Sequence, residues 1–346
     1  MDERTALDLL DLAEELAPRL TGPDATDGVA RLEGSGDDLR GALEWFVDQG
    51  RDDDALRLAN ALYRYWITQR RFDEGGRWFD RALASGAGGP RLRGRAYLNA
   101  GFMPFWMGDD AAATSLFGKA LAVGRELDDA SIVSGALGGL ARVALRGDVA
   151  EGRRLAREAL DVSDAANDEN GRSNALHLLG VGAQIAGDLP EAREWMTQRL
   201  ALVRRQGNDF LVASEAANLS MVERQLGELD VAEALAREAL VTCERIGDRF
   251  TPPFIFSGLA AIELERGDHE RSATLIGAAE SHMEATQMAW PPDERPHYER
   301  TVAGLRAAMP ADAFAQARDA GAALSSAAAI DLALERPAGR PPDGAA

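Results

Sequence analysis

Gly227-Glu228-Leu229-Asp230-Val231-Ala232-Glu233-Ala234-Leu235-Ala236-Arg237-Glu238-Ala239-Leu240 reads as the end of one helix and the start of another. A glycine at a helix end supplies the left-handed backbone that stops it. An acid just after it can cap the next helix. Leu235, Ala239 and Leu240 then fall on one face at helical spacing. The frame recurs at Gly147-Asp148, where Leu155, Ala159 and Leu160 take the same places. Working outward, the same pair stands at Gly108-Asp109, Gly187-Asp188 and Gly267-Asp268. Successive glycines are 39, 40, 40 and 40 residues apart. A degenerate copy, Arg70-Arg71-Phe72, lies 38 residues before Gly108 and brings the units to six.

Other columns repeat with the anchor. Thirteen residues beyond it come Leu83, Leu121, Leu160, Leu200 and Leu240. One place earlier stand Ala82, Ala120, Ala159, Arg199, Ala239 and Ala279, and small residues there let paired helices approach closely. A second turn carries Asp128, Asp168, Asn208 and Asp248. Each unit is therefore helix, tight turn, helix, tight turn. Such pairs cannot bury their faces alone and gain stability by stacking on neighbours. The expected fold class is all-α: a right-handed superhelix, an α-solenoid of tetratricopeptide-like helical hairpins with about 40 residues per repeat. HEAT and armadillo units have a similar length. Small residues at Gly101, Gly180, Ser220 and Ala260, then at Ala113, Ala192 and Ala232, favour the tetratricopeptide type, while Leu140 and Gly152 depart from the columns.

Composition agrees. The chain is 46% hydrophobic but only 6% aromatic, and Ala and Leu favour helices. A net charge of −19 disfavours binding to a phosphate backbone. Lys119 is the only lysine and Cys243 the only cysteine. A lone cysteine suits a reducing compartment. The acidic Met1-Asp2-Glu3-Arg4 start is unlike a secretion signal, and no run reaches a membrane span. The expected location is cytoplasmic, with no membrane and no direct nucleic-acid partner.

Expected domains are N-terminal capping helices over 1–53, six repeats over 54–280, C-terminal capping helices over 281–334 and a disordered tail over 335–346. Within these, 1–20 reads as a helix ending near Pro18. Residues 21–38, rich in Gly and Asp, read as a loop. Trp290-Pro291-Pro292 reads as a turn, followed by two helices near 293–309 and 311–333.

The run Arg31-Leu32-Glu33 through Asp37-Asp38-Leu39-Arg40-Gly41-Ala42-Leu43-Glu44-Trp45 resembles a segment of large bacterial LuxR-like and antibiotic-pathway regulators built on an ATPase core. So do Ala55-Leu56-Arg57-Leu58-Ala59 and Gly75-Gly76-Arg77-Trp78-Phe79-Asp80-Arg81-Ala82-Leu83. Leu275-Ile276-Gly277-Ala278-Ala279-Glu280, Pro291-Pro292 and Tyr298-Glu299-Arg300 are similar to the end of the same region. The resemblance covers roughly residues 25–334. It implies the helical-repeat sensor region of such a regulator, on its own or as part of a longer chain. The ATPase part has no counterpart: Gly118-Lys119-Ala120 lacks the leading glycine and final hydroxyl of a phosphate-binding loop.

No catalytic or nucleotide-binding motif is recognisable, and no cofactor is expected. His177, His269, His282 and His297 lack metal-ligand spacing. The runs Asp52-Asp53-Asp54, Asp109-Asp110 and Asp128-Asp129 read as helix caps, and Cys243 as structural. The informative surface is the groove lined by the first helix of each pair. Taken 13, 10, 6, 3 and 2 residues before each anchor, thirty positions contain one acid, Glu265, and four arginines. At the chain's 57 acids in 346 residues, about five acids would fall there by chance. Candidate groove residues are Arg57, Asn60, Arg64, Arg95, Phe102, Trp106, Asn174, His177, Gln184 and Arg224. Phe102, at helical spacing with Phe105, reads first as core. The expected function is an interaction or sensor module, regulatory in transcription or secondary metabolism. Its partner is a protein, a peptide or a small anionic or amphipathic ligand, with self-association open. The alternative is a small-molecule binder or enzyme of natural-product biosynthesis using a repurposed groove.

Overall fold

The computed structural model describes residues 1–20, 25–286, 288, 290 and 294–335. Eighteen α-helices and one short 3-10 turn make up the described residues. The chain divides into two compact units, Met1–Leu202 and Val203–Ala346.

In Met1–Leu202 the helices are α1 Glu3–Leu16, α2 Ala25–Gly34, α3 Gly36–Asp48, α4 Asp52–Thr68, α5 Phe72–Leu83, α6 Pro90–Met107, α7 Asp110–Glu126, α8 Ala130–Ala144, α9 Val149–Ala166, α10 Glu169–Ile185 and α11 Leu189–Gln206, whose last residues pass the boundary. α1 and α3 pack on α4. Beyond them the hairpins α6–α7 and α8–α9 stack in order, and α10 packs on α9. Neighbouring first helices also touch: α4 on α6, α6 on α8, α8 on α10. The second helices α5, α7 and α9 lack comparable contact with one another. The first helices therefore crowd together on the inner side of the stack.

The turn chemistry follows the repeat with one exception. Gly108, Gly187, Gly227 and Gly267 all sit at φ of +80° or more. Arg70, the degenerate anchor, adopts the same left-handed conformation at φ 54°. Gly147 does not; α8 ends through Leu145 in the right-handed region. The second turns place Asp128, Asn167, Gly207 and Gly247 at positive φ. Asp109, Asp148 and Asp268 cap the helices that follow, through backbone N–H groups of Ala112, Glu151 and Arg271. Asp129 caps α8 through Ser131 and Ile132. The run at 52–54 is different. Asp52 accepts from Ser85 Oγ at 2.6 Å, Asp53 from the Gly89 N–H at 2.6 Å, and Asp54 pairs with Arg51 and Arg57. Asp52 and Asp53 thus hold the turn before α6, and none of the three is the N-cap of α4, which is Arg51.

Of the expected loop over 21–38, residues 21–24 lie outside the described residues, and the rest is helix apart from Ser35 between α2 and α3. Leu32 and Leu39 are buried in the same N-terminal core as Leu16 and Leu20. That burial outweighs the weak helix propensity of the glycines. The same core contains Phe46, Trp66 and Phe79. A second core centres on Phe117, whose ring lies against Gly101 and Gly139. At Gly101 the small-residue column thus admits an aromatic ring, whereas Gly180 in the same column faces Met196.

In Val203–Ala346 the helices are α12 Asp209–Gln225, α13 Leu229–Ile246, α14 Pro252–Arg266, α15 His269–Ala285, α16 Arg295–Ala308, α17 Ala311–Ala322 and α18 Ser326–Leu334. α12 pairs with α13, α14 with α15, and α12 touches α14. Three helices follow the repeats where two were expected, because Ser325 caps a separate α18 by accepting from the Ala328 N–H. α15 and α17 approach backbone to backbone at Gly277 and Gly321. Arg271 donates to the Leu332 carbonyl at 2.6 Å and tethers the end of α18. Pro291, Pro292 and the tail from residue 336 lie outside the described residues. No helix of the described residues is long and apolar enough to cross a membrane.

Candidate functional site

Charge is sorted by helix in Met1–Leu202. From Ala55 on in α4, throughout α6 and α8, and from Asn170 on in α10, there is no Asp or Glu. Each second helix carries acids: Asp73, Glu74 and Asp80 in α5, Glu151 and Glu158 in α9, Glu191 in α11. The unit Val203–Ala346 lacks this sorting, since its first helices hold Glu215, Glu223, Glu263 and Glu265.

The ten candidate residues divide by what already occupies them. Arg57 is committed to α1, with Nε and Nη2 on the two Glu14 oxygens at 2.9 and 2.6 Å. Asn60 donates to the Leu92 carbonyl at 3.3 Å and accepts from Asn99 at 2.9 Å. Phe102 packs edge-on against Phe117 at 5.1 Å, as core. Trp106 is 52% exposed at the end of α6, stacked on Phe72. Gln184 is half-buried on α10. Arg224 belongs to the second unit and pairs with Glu265. Arg64 and Arg95 are exposed on α4 and α6.

Asn174 and His177 sit beside arginines that were not among the candidate groove residues. Asn174 Oδ1 accepts from Arg142 Nη2 at 2.7 Å. His177 Nδ1 lies 3.2 Å from Arg199 Nη1. A guanidinium has no acceptor, so this contact makes Nδ1 the acceptor and puts the imidazole proton on Nε2. Arg199 Nε also reaches Ser173 Oγ at 3.4 Å.

Arg199 is only 6% exposed. It stands where the other units have alanine, so its side chain runs between α11 and α10 towards the first-helix face. That break in the alanine column was the sequence signal for a charged interior. Arg142 gave a fainter one, lying one residue beyond the groove position Ala141. A long side chain reaches the same face from there.

Burial and neighbouring charge act on this cluster. Desolvation is the main cause that lowers Arg142 to about 10, and Arg199 adds to it. Desolvation also raises Tyr63, against the pull of Arg64, Arg142 and Arg95. The tyrosine hydroxyl therefore keeps its proton. Tyr63 packs on Phe102 at 5.9 Å. The outer face is unlike this one. A depression of about 680 Å³ lies along α9 and is lined by Arg153, Arg154, Arg157 and Glu158. Its arginines are already bonded, Arg154 to Glu151 and Glu158, Arg153 to Glu191.

A tetratricopeptide repeat family profile matches residues 212–246. Curated proteins of Mycobacterium tuberculosis and Mycobacterium bovis described as HTH-type transcriptional regulators are 28% identical over 229 residues, covering 64% of this chain. The chain spans about a quarter of their length, 26%. Among solved structures, a Rap protein complexed with competence and sporulation factor matches with TM-score 0.55 and 13% identity, over 89% of this chain and 86% of that one. NprR in complex with its cognate peptide NprX matches with TM-score 0.52 and 14% identity, over 85% and 89%. A signal transduction ATPase with a tetratricopeptide repeat sensor, from Pyrococcus horikoshii, matches with TM-score 0.51 and 12% identity, over 88% and 53%. The fold is thus that of tetratricopeptide-like helical arrays.

Proposed function

We propose that the chain is a regulatory interaction module and that the first-helix face of Met1–Leu202 receives its partner, a peptide segment or an effector with negative charge. The observation that carries this reading is the absence of carboxylates from α4, α6, α8 and α10 beyond their first turns. In a chain of net charge −19, a face without carboxylates attracts anions. Burial by itself does not explain the deficit, because Arg64 and Arg95 on this face are exposed. Likeness to mycobacterial regulators and to peptide-complexed arrays supports a regulatory role.

Affinity capture from the source cells tests it, with mass spectrometry of proteins and metabolites. The wild type and an Arg154→Glu control on α9 should retain a ligand set that the double variant Arg64→Glu/Arg95→Glu loses. Retention of the same set by the double variant contradicts the proposal.

A further inference from the structure

We propose that Trp106, Phe72 and Arg70 form a docking ledge at the anchor-turn end of the first-helix face, and that its occupant is a peptide segment carrying an aromatic side chain a few residues from a carboxylate. The ledge rests on the reading of that face as the ligand face and names the class of partner it takes.

The rings are joined by contact. Phe72, which opens α5, stacks on Trp106 with ring centroids 6.5 Å apart and planes 17° from parallel. Trp106 meets Phe105 edge-on at 5.2 Å, and Phe105 meets Phe102 at 6.4 Å. Phe102 in turn packs on Tyr63 of α4. The strip therefore runs from the packed side of the first helices out to the end of α6. Its outer end is bare, with Trp106 and Met107 52% and 55% exposed. Covering that surface removes a large apolar area from water. A tryptophan already braced on two rings loses little freedom when it is covered.

Charge complements the rings. Other anchors read glycine then acid, whereas this turn reads Arg70-Arg71. Arg70 holds the left-handed conformation at φ 54°, which glycine takes at four of the other five anchors and which is costly for a residue with a side chain. Its guanidinium lies 5.9 Å from the centre of the Phe72 ring. It is exposed and has no carboxylate partner among the described residues. The neighbouring cations are already committed. Arg71 is held by Glu33 and Glu74, and Arg146, stacked on Phe105 at 3.9 Å, by Asp110. Arg70 is thus the cation beside the strip that is open to a carboxylate from outside. An arginine lying on a ring keeps its N–H edge for such a partner. One ring separates it from Trp106, a span that about two to four residues of extended chain cover. Tryptophan and arginine are also the side chains that most often dominate binding at interfaces.

The test is fluorescence-anisotropy titration of the full chain with labelled, end-blocked glycine–serine hexapeptides. The first carries one phenylalanine and two glutamates. The second has alanine for the phenylalanine, and the third has lysines for the glutamates. The first should bind about tenfold or more tightly than either of the others. Trp106→Ala and Arg70→Gly should each weaken it about fivefold or more, while Arg154→Gln on α9 leaves it unchanged. Arg70→Gly installs the residue that the other anchors use, so its urea midpoint should not fall. If it does fall, Trp106→Ala decides, being at an exposed position. No binding of the first peptide, equal binding of all three, or unchanged affinity in Trp106→Ala overturns the ledge. Self-association in sedimentation that Trp106→Ala abolishes makes the occupant a second copy of this chain and overturns the peptide assignment. Partner capture that depends on Arg64 and Arg95 but not on Trp106 overturns the ledge alone. Capture that depends on Trp106 but not on Arg64 and Arg95 overturns the broader reading alone.

Discussion

Arg142 donates to Asn174 Oδ1 at 2.7 Å, so a desolvated cation of the first-helix face is held by a neutral amide. Asn174→Asp would supply the missing carboxylate at nearly the same shape. It should stabilise the fold by about 1 kcal/mol, the scale of a hydrogen bond gaining charge. Urea denaturation of wild type and variant checks it. A variant less stable than the wild type contradicts this account of the pair.

Phe117 is the wedge between the α6–α7 and α8–α9 hairpins. A Cβ at Gly101 or at Gly139 would lie 2.5 Å from its ring. Phe117→Ala should cost about 3–5 kcal/mol. Gly101→Ala should destabilise by overpacking, about 1–3 kcal/mol. Combining the two should cost less than the sum, because the smaller side chain makes room for the added methyl. Chemical denaturation of the three variants decides it.

Gly277 and Gly321 set the spacing of α15 and α17. A Cβ at either would meet a backbone oxygen at 1.9 Å, that of Arg318 or of Thr274. Backbone cannot step aside as a side chain can. Gly321→Ala should therefore cost about 3 kcal/mol and expose α17 to proteolysis before the rest of its unit. Limited proteolysis of wild type and variant measures this.

Cys243 is fully buried on α13, and burial raises its thiol pKa, with Asp248 adding to the effect. The thiolate is the reactive form. Iodoacetamide should leave the native protein unlabelled for as long as the unfolded chain takes to react completely. The labelling rate then reports opening of Val203–Ala346. Rapid labelling of the native chain contradicts this placement of the thiol.

Glu263 is buried beside Glu233 on α14, and desolvation raises its pKa above 4.5. Its folded form holds the proton after the unfolded form has lost it. Stability from this group is therefore full below about pH 4.5 and lost as pH rises through the raised value. Glu263→Gln removes the titration, so its stability relative to wild type should increase with pH from 4.5 upward. A difference that is flat or falls with pH contradicts the assignment.

The helices and their pairing were legible because the anchors carry backbone meaning. Even Arg70, which has no glycine, keeps the left-handed turn. Helix α2 was not legible, because it is held by packing on the 3-10 turn at Ala17–Leu20 and on α1, contacts that no local pattern encodes. On the first-helix face, Arg64 and Arg95 were found from spacing alone. Arg57, Asn60 and Phe102 share that spacing but are spent on internal contacts. Arg199 broke the alanine column but was not read as reaching this face, and Arg142 fell outside the columns, because long side chains reach a face their Cα atoms do not occupy.

A photo-crosslinking amino acid placed at Arg95 on the first-helix face, and separately at Arg154 on α9, tests the central claim most directly. Irradiation in the source cells should give a crosslinked partner from position 95 and none from position 154. A partner captured from 154 alone would contradict the claim that the carboxylate-free face is the one that binds.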